Sequence, residues 1–294
     1  MIRQIAERLG FPSDAIEYLT EKQSLLKSNT QATALLDAAI RQMYGQDDKS
    51  YMDQLSEIAD ITGIHRYTVD MLFFLACADP MRELYRQKDV DEEIYWNSLS
   101  DLKYKLLECK RLHGIYGSFT KHWFPRFLRA EAFALGRLQY ELKPFPLEAY
   151  GDLLKEGDIV CNCHIPSSGP LLEEDVMASL KQAYQFYKPY QRNGILPITC
   201  HSWLLFPPIA DLFGEGSNLD RFYRIFEILD QTPNPANKDF WRVFYREFSP
   251  ETLPNAPEDS SLQRKIKQFL LDGGCMGNGL GLILFDGEKI LTQR

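Results

Sequence analysis

The chain has 294 residues, 45% hydrophobic and 25% charged, with a formal net charge of −8 and a pI near 5.3. That length exceeds one usual domain and supplies apolar material for more than one core, so two domains are expected. An acidic chain repels nucleic acid and anionic membrane, and no apolar run approaches the ~18 residues of a membrane span, so neither is an expected partner. Six cysteines without a framework spacing, and no charged-then-apolar leader, point to free thiols in a reducing, cytoplasmic compartment.

Residues 2 to about 120 read as almost wholly helical. Ser13 stands before Asp14 and an apolar spacing of Ile16, Leu19, Leu25 and Leu26, the mark of a capped amphipathic start. Ala32 to Tyr44 repeats the pattern and stops at Gly45. Tyr51 to Ile61 is a further helix, closed by Thr62-Gly63. Thr68 to Tyr85 is apolar nearly all round through Met71, Leu72, Phe73, Phe74 and Leu75, and so belongs in the middle of a bundle. Pro80 kinks or restarts it. Asp91 to Leu112 is the last long helix before His113-Gly114. A division near residue 125 is expected, with residues 1–125 helical and residues 126–294 mixed.

From about residue 130 the periodicity changes to two. In Ala134 to Leu142, Leu138, Tyr140 and Leu142 share one face and Arg137, Gln139 and Glu141 the other, as in a half-buried strand. Asp158 to His164 is a second strand, Leu172 to Tyr190 a helix and Ile195 to Leu205 a third strand. Pro207-Pro208 starts a short helix through Phe213, and Gly214 to Asn218 is a turn. Arg221 to Leu229 alternates and reads as a strand. Ser261 to Leu271 is a helix, and glycine-studded Gly277 to Phe285 is the last strand. Gln231 to Lys238 and Ser249 to Ser260 are proline-rich loops that could border a cleft.

Gly157 to Leu205 concentrates the chemistry. It is a strand, a tight Pro166-Ser167-Ser168-Gly169-Pro170 loop, a helix and a strand. A loop opening onto a helix start gathers unpaired backbone N–H groups and can hold an anion. The bland alternative is a Ser-capped helix with Pro170 in its first position. The first strand ends in Cys163 and His164, the second in Cys200, His201 and Ser202. Either histidine could relay a proton, and His201 is the better candidate because Ser202 adjoins it. A zinc cluster from Cys161, Cys163, His164, Cys200 and His201 lacks the x₂₋₄ spacing of a zinc knuckle, so no metal is expected. Leu55 to Leu75 has helix-turn-helix spacing around Gly63, but Met71 to Ala76 is apolar where a groove-reading helix must be polar and basic.

The order of elements resembles the acyl-CoA-binding core of the GNAT N-acetyltransferase superfamily. His164 to Leu171 (HIPSSGPL), Cys200 to Leu205 (CHSWLL) and Ser217 to Phe222 (SNLDRF) look more closely like a bacterial acyltransferase family with a helical N-terminal domain and a GNAT-like C-terminal domain. The resemblance implies an α+β chain, a helical bundle followed by a GNAT-like mixed sheet. It implies an acyl-CoA co-substrate, acetyl or longer, and a small-molecule or peptide amine acceptor that attacks the thioester directly. His164, Pro166, Ser167, Ser168 and Gly169 would then hold the CoA, although the superfamily loop carries basic and extra glycine residues absent here. Glu173, Glu174 and Asp175 in the first helical turn oppose a diphosphate. Glu141 or His201 would accept the amine proton, Ser202 or Tyr223 would protonate the thiolate, and Arg137 and Gln139 would orient the acceptor. Two other classes stay open: a DNA-binding regulator using residues 55–75, and a non-catalytic GNAT-like scaffold.

Overall fold

A computed structural model describes residues 2–45 and 51–292. Contacts divide the chain into Met1–Ala134 and Leu135–Arg294. The first unit is helical: α1 (Ile2–Arg8), α2 (Ser13–Ser28), α3 (Thr30–Met43), α4 (Tyr51–Thr62), α5 (Arg66–Ala76), α6 (Ala78–Gln87), α7 (Glu92–Leu99), α8 (Asp101–His113) and α9 (Pro125–Leu128). Helix α5 is its axis, buried without interruption from Thr68 to Leu75. Phe73 stacks on Tyr51 at 5.3 Å and Phe74 meets Phe124 at 5.1 Å. A helix enclosed in this way has no face to lay in a DNA groove, so the helix-turn-helix spacing of residues 55–75 is the packing of two bundle helices.

Local chemistry sets several boundaries differently from the periodicity. Ser13 does not cap α2; it is the first helical residue, and Pro12 at the cap position makes no side-chain bond. Asn29 does cap α3, its side chain accepting from the Ala32 N–H at 3.0 Å. The run from Thr68 to Tyr85 breaks at Cys77, and Pro80 falls in the first turn of α6, where its missing N–H costs little. The run from Asp91 to Leu112 breaks at Ser100. Helix α8 ends on Gly114 at φ 73°, a left-handed stop that favours glycine.

The second unit is built on a six-stranded sheet. Its strands are β1 (Ala132–Leu135), which the division cuts, β2 (Leu138–Pro144), β5 (Ile159–His164), β6 (Leu196–Ser202), β7 (Glu227–Asn234) and β8 (Met276–Phe285). The order is β1-β2-β5-β6-β8-β7, and β3 (Ala149–Tyr150) and β4 (Leu154–Lys155) form a separate hairpin. Only β5 and β6 are parallel among the registered pairs, joined by α10 (Glu173–Phe186) as the crossover helix. The remaining helices are α11 (Pro207–Ala210), α12 (Asn218–Arg224), α13 (Phe240–Phe244) and α14 (Ser261–Leu271).

Three expectations change here. The alternation through Ala134 to Leu142 is two strands, parted by a turn at Gly136 (φ 69°) and Arg137. Arg221 to Leu229 is not one strand. Its first half is helix α12, started by Ser217, whose hydroxyl accepts from the Asp220 N–H at 3.2 Å. The strand lies further on, and β7 runs through the first half of the proline-rich stretch expected as a loop, which only begins after Asn234.

Helix α10 is seated by Ser179. Its hydroxyl accepts from the Leu138 N–H at 3.1 Å and lies 2.9 Å from the Tyr140 hydroxyl. The glycines of β8 have a packing cause. Gly277 and Gly281 lie under the side chains of Phe206, Leu205 and Phe226, and a Cβ on Gly279 would strike the Leu205 carbonyl. The chain after β6 therefore lies flat on that sheet face.

Candidate active site

Strand register sorts the expected residues onto two faces. Glu141 pairs with Asn162 and Gln139 with His164; Asn162 pairs with Thr199, and His201 with Leu280. Gln139, Glu141, Asn162, His164, Thr199 and His201 therefore share one face of the sheet. Tyr140, Cys161, Cys163, Cys200 and Ser202 share the other, with the β8 glycines.

On the first face the polar residues make a network. His164 Nε2 lies 2.7 Å from Glu141 Oε1, and Lys143 Nζ reaches the same oxygen at 2.7 Å. The Asn162 amide is 3.0 Å from His164 Nε2, and the Thr199 hydroxyl is 3.1 Å from the Asn162 carbonyl oxygen. Glu141 and Gln139 are buried, not on a solvated strand face. Burial alone would raise the Glu141 carboxyl, but the hydrogen bonds from His164 and Lys143 outweigh it and hold the pKa at about 2. A carboxylate held that low is a weak proton acceptor at neutral pH. It is well suited to fix an imidazole, since taking the Nε2–H leaves the lone pair of the neutral ring on Nδ1. Asn162, Thr199 and Lys143 were not singled out from the sequence, although each stands at i+2 from a residue that was, or opposite one.

The β5–β6 ladder is short. Its registered pairs are Cys161↔Ile198 and Asn162↔Thr199, while both strands run on to His164 and Ser202. Beyond them no further pair is registered, although the Cys163 and Cys200 thiols still meet across the two strands on the opposite face. That contact, burial and the neighbouring thiols push the Cys163 thiol well up, so it is held protonated and inert as a nucleophile.

The loop after β5 is shaped by Arg137. Its guanidinium donates to the carbonyls of Pro170 (2.9 Å), Pro166 (3.1 Å) and Gly169 (2.6 Å). Arg137 is thus a brace for the loop and does not stand with Gln139 and Glu141. Gly169 has φ 123°, with open space where a Cβ would be. Pro166 is buried, Ser168 half-buried, and Ser167 and Gly169 exposed. Helix α10 starts later than expected. Its cap position is Leu172, without a side-chain bond, so neither Ser168 nor Pro170 caps it, and Glu173, Glu174 and Asp175 fill its first turn.

The other expected residues stand apart. His201 is exposed on the network's face. Ser202 caps the short 3₁₀ turn after β6, accepting from the Leu204 N–H at 3.2 Å. Tyr223 lies on α12, not on a strand. Among the described residues there is no group of three or more His, Cys, Asp or Glu placed to hold a metal ion, and no helix long and apolar enough to cross a membrane.

Fold and topology are those of a GNAT-like acyltransferase with a helical N-terminal unit. Profiles of two domain families match the chain: N-acyltransferase N-terminal domain over residues 1–130 and GNAT-like C-terminal domain over residues 132–283. The chain belongs to this family. Its fold is similar to that of an acyltransferase solved in complex with decanoyl-CoA, at TM-score 0.72 and 22% identity, covering 95% of this chain and 86% of the other. A complex of an acyltransferase with decanoyl-CoA and teicoplanin gives TM-score 0.71 and 22% identity over 96% and 87%. One with CoA and 10C-teicoplanin gives 0.63 and 21% over 96% and 98%. No curated protein matches the chain.

Proposed function

We propose that the protein transfers an acyl group from acyl-CoA to the amine of a small-molecule or peptide acceptor, with His164 as general base. The observation that carries the reading is the 2.7 Å bond between Glu141 and His164, at the point where the β5–β6 ladder ends. The CoA diphosphate lies against loop 166–171 and the uncapped start of α10, and the pantetheine arm enters beside the ends of β5 and β6, beyond their last registered pair. His164 Nδ1 takes the proton of the attacking amine, directly or through water, as the new C–N bond forms. A backbone N–H near Cys163 stabilises the oxyanion. The C–S bond then breaks and the CoA thiolate leaves, taking up a proton from solvent or from the imidazolium. Glu141 orients the ring and stabilises its charged form, and Gln139 and His201 face the acceptor.

The decanoyl-CoA complexes of the neighbouring folds make decanoyl-CoA the first donor to test, with acetyl-CoA, the short donor the family resemblance implies, beside it; their teicoplanin complexes make a peptide-like amine the first acceptor. Calorimetric titration tests the donor site. The expected result is binding of at least one acyl-CoA, lost in Gly169→Asp, which sets a charged side chain in a left-handed position beside the diphosphate. Absence of binding at millimolar concentration for both esters contradicts the reading and leaves the domain a scaffold.

A further inference from the structure

One oxygen in the polar network serves two basic groups. Glu141 Oε1 lies 2.7 Å from His164 Nε2 and 2.7 Å from Lys143 Nζ. The two nitrogens therefore stand within about 6 Å of each other, near enough for an imidazolium and an ammonium to repel. The Glu141 side chain is 7% exposed, whereas that of Lys143 is 42% exposed at the rim of the network. The mechanism above uses Glu141 and His164 and gives Lys143 no part.

A buried carboxylate bonded to an imidazole favours the charged ring, and a base that already holds a proton cannot accept one. A second cation on the same oxygen opposes this, because it draws on the carboxylate and repels an imidazolium. The pleat of β2 sets Lys143 two residues from Glu141 on the same face, opposite Val160. Burial works to raise the Glu141 carboxyl, and the cations that hold it down are His164 and Lys143. The other groups on this face are of different kinds. Gln139, Asn162 and Thr199 are neutral, and below Lys143 the face is apolar, with Val160 packed on Phe145, Leu154 and Leu282. His201 on β6 is a titratable neighbour and is exposed, while Arg137 is turned to the loop carbonyls of Pro166, Gly169 and Pro170. We infer that Lys143 is a positioning residue that acts through Glu141: by sharing the carboxylate with His164 it keeps the imidazole neutral, and able to take the amine proton, at neutral pH. The inference rests on the general-base reading above and deepens it.

The His164 ring can be followed without turnover, by NMR titration of the full chain, its signal among the five histidines assigned by its loss in His164→Gln. Lys143→Met is expected to move the His164 midpoint, and with it the acidic limb of kcat/KM, up by about half a pH unit or more, a size moderated by the exposure of the lysine. Glu141→Gln should move both in the opposite direction. Lys143→Arg, which keeps the charge, should restore the wild-type midpoint, and added salt should narrow the gap between wild type and Lys143→Met. A lysine that only packs would leave the midpoint where it is. An unmoved or lowered midpoint in Lys143→Met therefore overturns this inference alone, as does a Lys143→Arg midpoint displaced as far as that of Lys143→Met. The predicted NMR shifts in a protein without amine-dependent release of CoA would instead overturn the acyl-transfer reading and leave the charge sharing in place.

Discussion

At the scale of single residues, the account turns on two side chains with separate duties. His164 moves the proton and Glu141 holds it in place. His164→Gln is expected to lower kcat by roughly 10²- to 10⁴-fold with a small change in KM, the size of a general-base contribution. Steady-state kinetics with a fixed amine acceptor checks this. Glu141→Gln should also lower kcat and should move the acidic limb of the kcat/KM profile, because the imidazolium loses its carboxylate partner. Glu141 also links stability to pH. Its folded pKa of about 2 lies below the unbound value of 4.5, so its contribution is fully present above 4.5 and is lost as pH falls through 2. The depression corresponds to at most about 3 kcal/mol. Urea midpoints of wild type and Glu141→Gln should therefore converge as pH falls from 5 towards 2; a gap that stays constant contradicts the assignment.

At the scale of elements, the loop and the strand that flank the site carry distinct demands. Arg137 satisfies three loop carbonyls at once with a planar fork, which a lysine cannot reproduce. Arg137→Lys and Arg137→Ala are both expected to weaken acyl-CoA binding by about tenfold or more while the far-UV spectrum is retained, since several charge-assisted bonds shape the loop. Equal affinity in all three proteins would show that the brace does not matter. Gly279→Ala should destabilise by several kcal/mol or prevent folding, about the cost of overpacking against backbone that cannot move. A thermal melt within a degree of wild type would contradict the close stacking on β8.

Element scale is also where the sequence was most and least legible. The alternation of Leu138, Tyr140 and Leu142 against Gln139 and Glu141 correctly placed the faces of β2. It could not tell that the polar face is buried, because the partner that makes burial tolerable, His164, lies 23 residues away. Arg137 was misplaced because alternation runs smoothly through the turn at Gly136. Arg221 to Leu229 misled for a related reason. Phe222 and Phe226 suit a strand at period two and a helix at i, i+4 equally well. The local signal that decides it is Ser217 three residues before Asp220, an N-cap pattern.

At the scale of the whole molecule, the passage from helices to a sheet was legible from the change of period, and the fold class from the family resemblance. The chemistry was legible only as a cast of residues, since which of them meet depends on register between strands far apart in the chain. A fragment of residues 131–294, keeping β1 whole, is expected to fold cooperatively by calorimetry; a fragment without a thermal transition would show that the sheet unit needs the helices. The central claim, acyl transfer from acyl-CoA through His164, is tested most directly by release of free CoA thiol on mixing the protein with acyl-CoA and an amine acceptor. The account predicts amine-dependent release by wild type, slowed by at least about 10²-fold in His164→Gln. No amine-dependent release with either acetyl-CoA or decanoyl-CoA across a panel of peptide-like amines, or release by His164→Gln as fast as by wild type, would contradict it.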